Sequence, residues 1–372
     1  MIDAARVCEL HDGMKSRRAH WDRLWERVAQ LVIPRADDFY NQHSPGDQRN
    51  LQQFDAFPMA ALDKFGAALE MGLIPRNATW HHLTTGEESL DDDAETKEYM
   101  EALSRILWKT RYSPRSNFAG QAHEKLLSLG AFGTGCMRVE PGQGGGVRYI
   151  AHHLSEIFIE PNNDGVVDTV HREFSMTARD ATREFGAKTP QAIIDAMAAD
   201  KLYEPFEFLH AVRPNEDWEP GRLDVLPFES AYIMLGRGKE IVREDGYNEQ
   251  PYIVSRYSVS PREKYGRSPA IQMLPDIAML NEMKRVTIEA GALSVDPPTL
   301  LHENISEFDL VPGAQNYGTL DDNGRPMVAQ FDFRSQPGIA RDLMVDTRNQ
   351  IDDSFLGVYF RVLLENPNMT AT

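Results

Sequence analysis

"EKYGRSPAIQMLPDIAMLNEMKR", residues 263–285, is the stretch on which the fold turns. Ser268 has the side chain of a helix N-cap and Pro269 suits the first helical position, where no backbone N–H is needed. Pro275 follows six residues later, deep enough to remove a backbone hydrogen bond and bend the rod. Apolar residues continue at helical spacing through Ile288, so the spacing predicts one long, bent helix over 268–293. "DPPTLL" breaks it. A second long helix is expected from Pro337, with Leu343, Met344, Thr347, Ile351, Phe355 and Val358 as its apolar stripe. Between the two lies a short mixed segment with turns at "PGAQ" and "DDNG". Two long helices flanking such a segment read as a stalk carrying a small tip.

Upstream, the first 33 residues read as a helix. Trp21, Leu24, Trp25, Val28, Leu31 and Val32 recur at three- and four-residue steps, while Lys15, Arg17, Arg18, Arg23 and Arg27 lie on or beside the other face. Pro34 ends it. A second apolar helix is expected over 57–73, stopped by Pro75. The run "GEESLDDDAETKE" reads as a solvated loop and the first turn of a helix, where carboxylates suit the positive end of the dipole. It lacks the alternation and central glycine of a calcium loop. Helices are predicted over 95–109 and 115–129.

The pattern then changes. "GCMRVEPGQGGGVRYIAHHLSEIFIEPNNDGVVDTVHREF" alternates and breaks at glycine turns, which predicts antiparallel strands. Thr177 caps a short helix ending at Gly186, and "FEFLHAV", "ESAYIML", "KEIVRE" and "PYIVSRYSV" are strand-like again. The fold class is α+β.

The totals narrow the function. A length of 372 residues with 41% hydrophobic content suits two or three core-forming units. No apolar run approaches a membrane span, and "MIDAARVCELHDG" lacks the basic start and apolar core of a signal peptide, so a cytoplasmic setting is expected. Cys8 and Cys136 offer no disulfide framework and read as buried free thiols. The formal net charge of −18 argues against gripping nucleic acid by neutralising phosphates, but suits a surface past which DNA slides.

Familiar chemistry is missing. "GQGGG" lacks the lysine and hydroxyl of a phosphate loop. There is no HExxH, no paired CxxC and no GxSxG elbow. His152 and His153 are adjacent in a predicted strand and point to opposite faces, so they do not chelate one metal. Carboxylates are abundant and none stands out. No catalytic residue, metal site or cofactor is expected. A cytoplasmic hydrolase with a carboxylate pair distant in sequence remains one rival reading.

Four stretches together carry a resemblance: "HWDRLWERVAQLVIPRADDF", "GLIPRNATWHHL", "KYGRSPAIQMLPDIAMLNEM" and the terminal "NPNMTAT". In this order the chain resembles the portal protein, or head-to-tail connector, of short-tailed bacteriophages. The resemblance implies a ring, usually of twelve copies, around a DNA channel at one capsid vertex. It implies an α/β wing over 1–266, a first stem helix over 267–293, a clip over 294–335, a second stem helix over 336–358 and the start of a channel loop over 359–372. Pro269 and Pro275 would set the bend from wing to stem. The family's crown would follow "MTAT", and here the sequence stops at Thr372.

The implied partners are further copies of the chain, double-stranded DNA in transit, the terminase packaging motor, a tail adaptor, and capsid and scaffolding proteins, with no membrane. Arg341 and Arg348, seven residues apart on the second stem helix, are either part of a web of ion pairs with Asp342, Asp346, Asp352 and Asp353 or a sparse arginine ring touching phosphates. Arg361, Asn366 and Asn368 would lie nearest the DNA. Glu303, Glu307 and Asp309 with Phe308 are either a docking surface on the clip or a solvated face. A different ring-forming head–tail adaptor is the other rival.

Overall fold

The computed structural model describes residues 2–40, 44, 46–49, 52–142, 145–222, 224–236, 238–301, 305, 309, 319, 325–330 and 337–357. In chain order the elements are α1 (Ala4–Val32), α2 (Phe57–Leu73), α3 (Glu88–Asp91), α4 (Ala94–Arg111), α5 (Phe118–Phe132), β1 (Thr134–Pro141), β2 (Val147–His152), β3 (Ile157–Pro161), β4 (Val167–Thr177), α6 (Ala178–Phe185), α7 (Gln191–Ala198), β5 (Pro205–Pro214), β6 (Phe228–Met234), β7 (Glu240–Tyr247), β8 (Tyr252–Arg256), α8 (Pro269–Gln272), α9 (Leu274–Val295), β9 (Thr299–Leu301), β10 (Val328–Gln330) and α10 (Pro337–Ser354). The fold is α+β, with every strand pairing antiparallel.

β3 to β7 form a five-stranded meander. Successive residues of β5 point to opposite faces, and both faces are covered. Phe208 joins Phe174, Tyr232 and Val242 under α6 and α7. Its neighbour Leu209 joins Ala211, Ala231 and Ile233 under Val7 and Cys8 of α1. Burial on both faces is why "FLHAV" reads as a continuous run instead of an alternation. A smaller sheet, β2–β1–β8, lies against α5.

The largest core gathers Trp25, Val28 and Val32 of α1, Leu62 and Phe65 of α2, Leu127 and Phe132 of α5, and the body ends of α9 and α10. α1 therefore serves two cores, with its first turns on the meander and its last turns here. Arg18, placed by its spacing with the polar face, is buried instead. Its guanidinium donates to the carbonyls of Leu154, Ser155 and Ile157 and pairs with Asp22 at 2.9 Å. Three carbonyls at the entry to β3 take up donors that water would otherwise satisfy, which makes the burial possible.

The expected single bent helix is two. α8 ends at Gln272, Met273 leaves the helical region (φ −93°, ψ 8°), and α9 begins at Leu274. Pro275 lies in the first turn of α9, where its missing N–H costs nothing. The chain breaks rather than bends.

α9 is buried only in its first turns, at Leu274, Ile277 and Leu280, and no later residue of it is buried. α10 runs the other way, exposed at Gly338, Ile339 and Arg341 to Leu343 and buried at Met344, Thr347 and Ile351, with Phe355 buried just after it. The two pack on each other as an antiparallel hairpin rooted in the main core, with the β9–β10 pair at its far end. Four of the residues expected in the α10 stripe are buried. Leu343 is exposed, and Val358 lies outside the described residues.

Candidate functional site

The hairpin is the part of the molecule least explained by its own packing, and its root is built with care. The Tyr265-Gly266-Arg267-Ser268 loop anchors it. Tyr265 is buried edge-on against Trp25, with ring centres 5.0 Å apart. Gly266 lies against Gly133, and a Cβ on Gly266 would sit 2.2 Å from the Gly133 carbonyl oxygen. Gly133 itself has φ +78°, and a Cβ there would sit 2.3 Å from the Gly266 carbonyl. Only glycine fits at either position. The Ser268 hydroxyl donates to the Ala131 carbonyl at 2.7 Å and accepts from the Ile271 N–H at 2.9 Å, so the predicted N-cap also ties α8 to the end of α5.

A second clamp joins both hairpin helices to the segment before α2. Asn281 of α9 accepts from the N–H groups of Phe54 (2.7 Å) and Asp55 (3.2 Å) and donates to the Gln52 carbonyl (2.9 Å). Arg348 of α10 pairs with Asp55, whose other oxygen accepts at 2.9 Å from the N–H of Phe57, the first residue of α2. Asp55 is buried, and the ion pair with Arg348 compensates its charge. Lys64 of α2 approaches Asp352 of α10 at 3.5 Å.

Arg348 is thus half-buried and engaged within the chain, whereas Arg341, Asp342 and Asp346 are exposed. Arg361, Asn366 and Asn368 lie outside the described residues, as do Glu303, Glu307 and Phe308; Asp309 is described and exposed. Pro269 and Pro275 flank the break at Met273.

The body holds a polar network that no spacing in the sequence reveals. His210 on β5 is fully buried, with one ring nitrogen 2.6 Å from the Tyr252 hydroxyl and the other 2.9 Å from the Ser230 hydroxyl. It stacks on Tyr232 with ring centres 3.9 Å apart. Burial holds its pKa well below the ordinary histidine value, and the cations of Arg138, Arg172 and Arg243 add to this. A serine–histidine contact of this kind suggests a nucleophile, but Ser230 and His210 are both at 0% exposure. With the reacting atoms closed to solvent, the network serves to join the two sheets. Among the described residues no cluster of three metal-ligating side chains is present, and no helix is long and apolar enough to cross a membrane. Cys8 and Cys136 are buried free thiols.

A body of two sheets and helices, from which an antiparallel helical hairpin with a small β tip projects, agrees with a family match along the chain. The sequence profile described as "Bacteriophage head to tail connecting protein" matches residues 4–372. The chain belongs to this connector family. Two curated relatives of this connector chain are similar over nearly all of it. One is the "Probable portal protein" of Bordetella phage BPP-1, 27% identical over 371 residues, covering 96% of the chain and 66% of the relative. The other is the "Portal protein" of Salmonella phage epsilon15, 25% identical over 369 residues, covering 95% of the chain and 65% of the relative. The connector chain therefore spans about two thirds of the length of each of these relatives.

Proposed function

We propose that the chain is a portal subunit. Copies close into a dodecameric ring at one capsid vertex, DNA is packaged and ejected through the ring, and the packaging motor and later the tail dock on it. It works as a structural component of the virion rather than as an enzyme. Residues 1–266 act as the wing, α8 and α9 as the first stem element, 294–335 as the clip and α10 as the returning stem.

The observation that carries this reading is the open apolar face of the hairpin. Met279, Val286 and Leu293 are 47%, 48% and 39% exposed and recur every seven residues along α9, the spacing of a seam that packs on another helix. Ile339 and Leu343 are exposed on α10. Among the described residues nothing in one hairpin covers these side chains. A neighbouring copy does, and a heterologous contact of this type closes into a ring.

The acid excess of the chain keeps phosphates from sticking. Arg341, Arg348, Arg361, Asn366 and Asn368 face the passage and supply sparse, short-lived contacts, with the Arg348 charge shared with Asp55. Glu303, Glu307, Phe308 and Asp309 offer an acidic rim with an apolar anchor to a basic motor or adaptor.

The test is the mass of the purified chain in solution with negative-stain images of the same sample. A ring with a central hole is expected, and Val286→Glu with Leu293→Glu should give a folded, smaller species. A compact dimer or tetramer without a hole overturns the reading.

A further inference from the structure

A second, electrostatic contact between copies follows from two cations, Arg256 and Arg262, that form no ion pair among the described residues. Beside the start of α8, the β3–β4 turn and the loop after β8 enclose a cleft of about 540 Å³. Its polar lining includes Arg256, Arg262, Lys264, Asn162, Asn163 and Ser260, against the single carboxylate of Glu263. That carboxylate is already held by Arg267. Arg256 donates to the carbonyls of Lys264 and Gly165 and has no carboxylate beside it, so burial alone pushes its pKa down and its charge stays unneutralised. Arg262 is exposed, has a φ of +74° rare for a residue with a side chain, and stands on the ridge between this cleft and a smaller one beside Trp21. Val259 in the lining and Val166 next to it are exposed.

The opposite charge lies elsewhere on the body. Residues 87–101 carry eight carboxylates and one lysine. Among the described residues none of these carboxylates forms an ion pair with a cation of the cleft, where Lys264 alone has an acid partner, Glu160. Leu90 and Tyr99 are exposed within this stretch. The cleft meets one end of the small sheet, and the C-terminal end of α4, the helix that the acidic stretch opens, meets the other. Thr134, the first residue of β1, pairs with Arg256, while Arg111, the last residue of α4, reaches Tyr149, which pairs with Val139 five residues further along β1. A basic cleft and an acidic helix start, each with exposed apolar side chains and set apart on one body, are the two halves of a head-to-tail contact.

We propose that the cleft formed by Arg256, Arg262 and Lys264 receives the acidic 87–101 stretch of a second copy of this chain. The contact rests on the ring reading, and it adds to the hairpin seam a second contact that sets the rotation between neighbours.

The test uses the full chain. Arg262→Glu should raise the protein concentration needed for assembly about tenfold, and adding Asp92→Arg and Glu95→Arg should restore it. In a second measurement, Arg262→Cys with Asp92→Cys and a bifunctional maleimide should link copies into a ladder, since Cys8 and Cys136 are buried. A wild-type ring whose assembly is unchanged by Arg262→Glu, and whose paired cysteines give no ladder, overturns this contact and leaves the ring standing. A wild-type chain that stays monomeric at every concentration overturns the ring reading and this contact with it.

Discussion

Arg348 on α10 sets its guanidinium against the buried carboxylate of Asp55, 293 positions earlier in the chain. Asp55 in turn accepts from the Phe57 N–H, so one carboxylate joins the start of a body helix to the returning arm of the hairpin. Arg348→Met leaves that charge buried without its partner, at a cost of about 3 kcal/mol. Asp55→Asn keeps an acceptor for the Phe57 N–H and removes the charge, and should cost less. Urea unfolding of the two single variants and the double variant should give a coupling energy of at least about 1 kcal/mol. Additive losses would show that the pair contributes nothing beyond its two ends.

Asn281 satisfies three backbone groups of residues 52–55 from α9. Asn281→Ala should destabilise the chain by about 2 kcal/mol. Hydrogen exchange at Phe54 and Asp55 should speed up while exchange in β5 stays slow, because only this clamp opens.

Gly133→Ala and Gly266→Ala each drive a methyl group into backbone, which cannot move aside as a flexible side chain would. Each should lower the thermal midpoint by about 4 °C or more, from a loss of about 3 kcal/mol or more. Gly291→Ala, where a Cβ meets open space, should leave the midpoint unchanged or raise it.

The buried histidines predict acid sensitivity. Burial holds His171 at about 3, helped by His11 and Arg213, and His152 at about 2, helped by Arg172 and Arg138. Both folded values lie below the ordinary one near 6.5. The folded chain therefore binds fewer protons than the unfolded chain, and stability falls as pH drops below about 6.5. Denaturant midpoints measured from pH 7 to pH 4 should decline steadily. Replacing His171 with a neutral residue of similar shape should flatten part of the slope.

Cys136 is buried among β1 neighbours, and burial pushes its thiol up to about 12. A maleimide should leave it unlabelled in the folded chain and react once the chain is unfolded. Rapid labelling under native conditions would mean that the sheet β2–β1–β8 opens readily.

Much of the layout was legible because its signals are local. Pro75 and the apolar spacing placed α2 at 57–73, where it is found. The hydroxyls of Thr177 and Ser268 announced helix starts, and both accept the expected backbone N–H. The stalk with a small tip was readable from two periodic segments around a broken one. What escaped depends on contacts distant in sequence. Arg18 has the spacing of a solvent residue, and its burial rests on three carbonyls 136–139 residues away. Asp55, Asn281 and Arg348 are unremarkable in composition and meet only once α2, α9 and α10 are in place. α7 was missed because "QAIIDAMA" is short and lacks a capping side chain. The break at Met273 looks in sequence like a bend, since Pro275 fits either an interior kink or a first turn.

The break at Met273 gives the hairpin the mechanics of a lever. From Met273 to Asn281 is about 12 Å along the helix, and from Met273 to Val295 about 33 Å, at about 1.5 Å per residue. With the pivot at one end and the clamp a third of the way out, a sideways shift of about 1 Å at Asn281 becomes roughly 3 Å at the tip by this geometry. A load applied at the β9–β10 end is therefore transmitted as torque to Asn281, Arg348 and Asp55, which makes these three side chains the stop that holds the arm against turning about Met273.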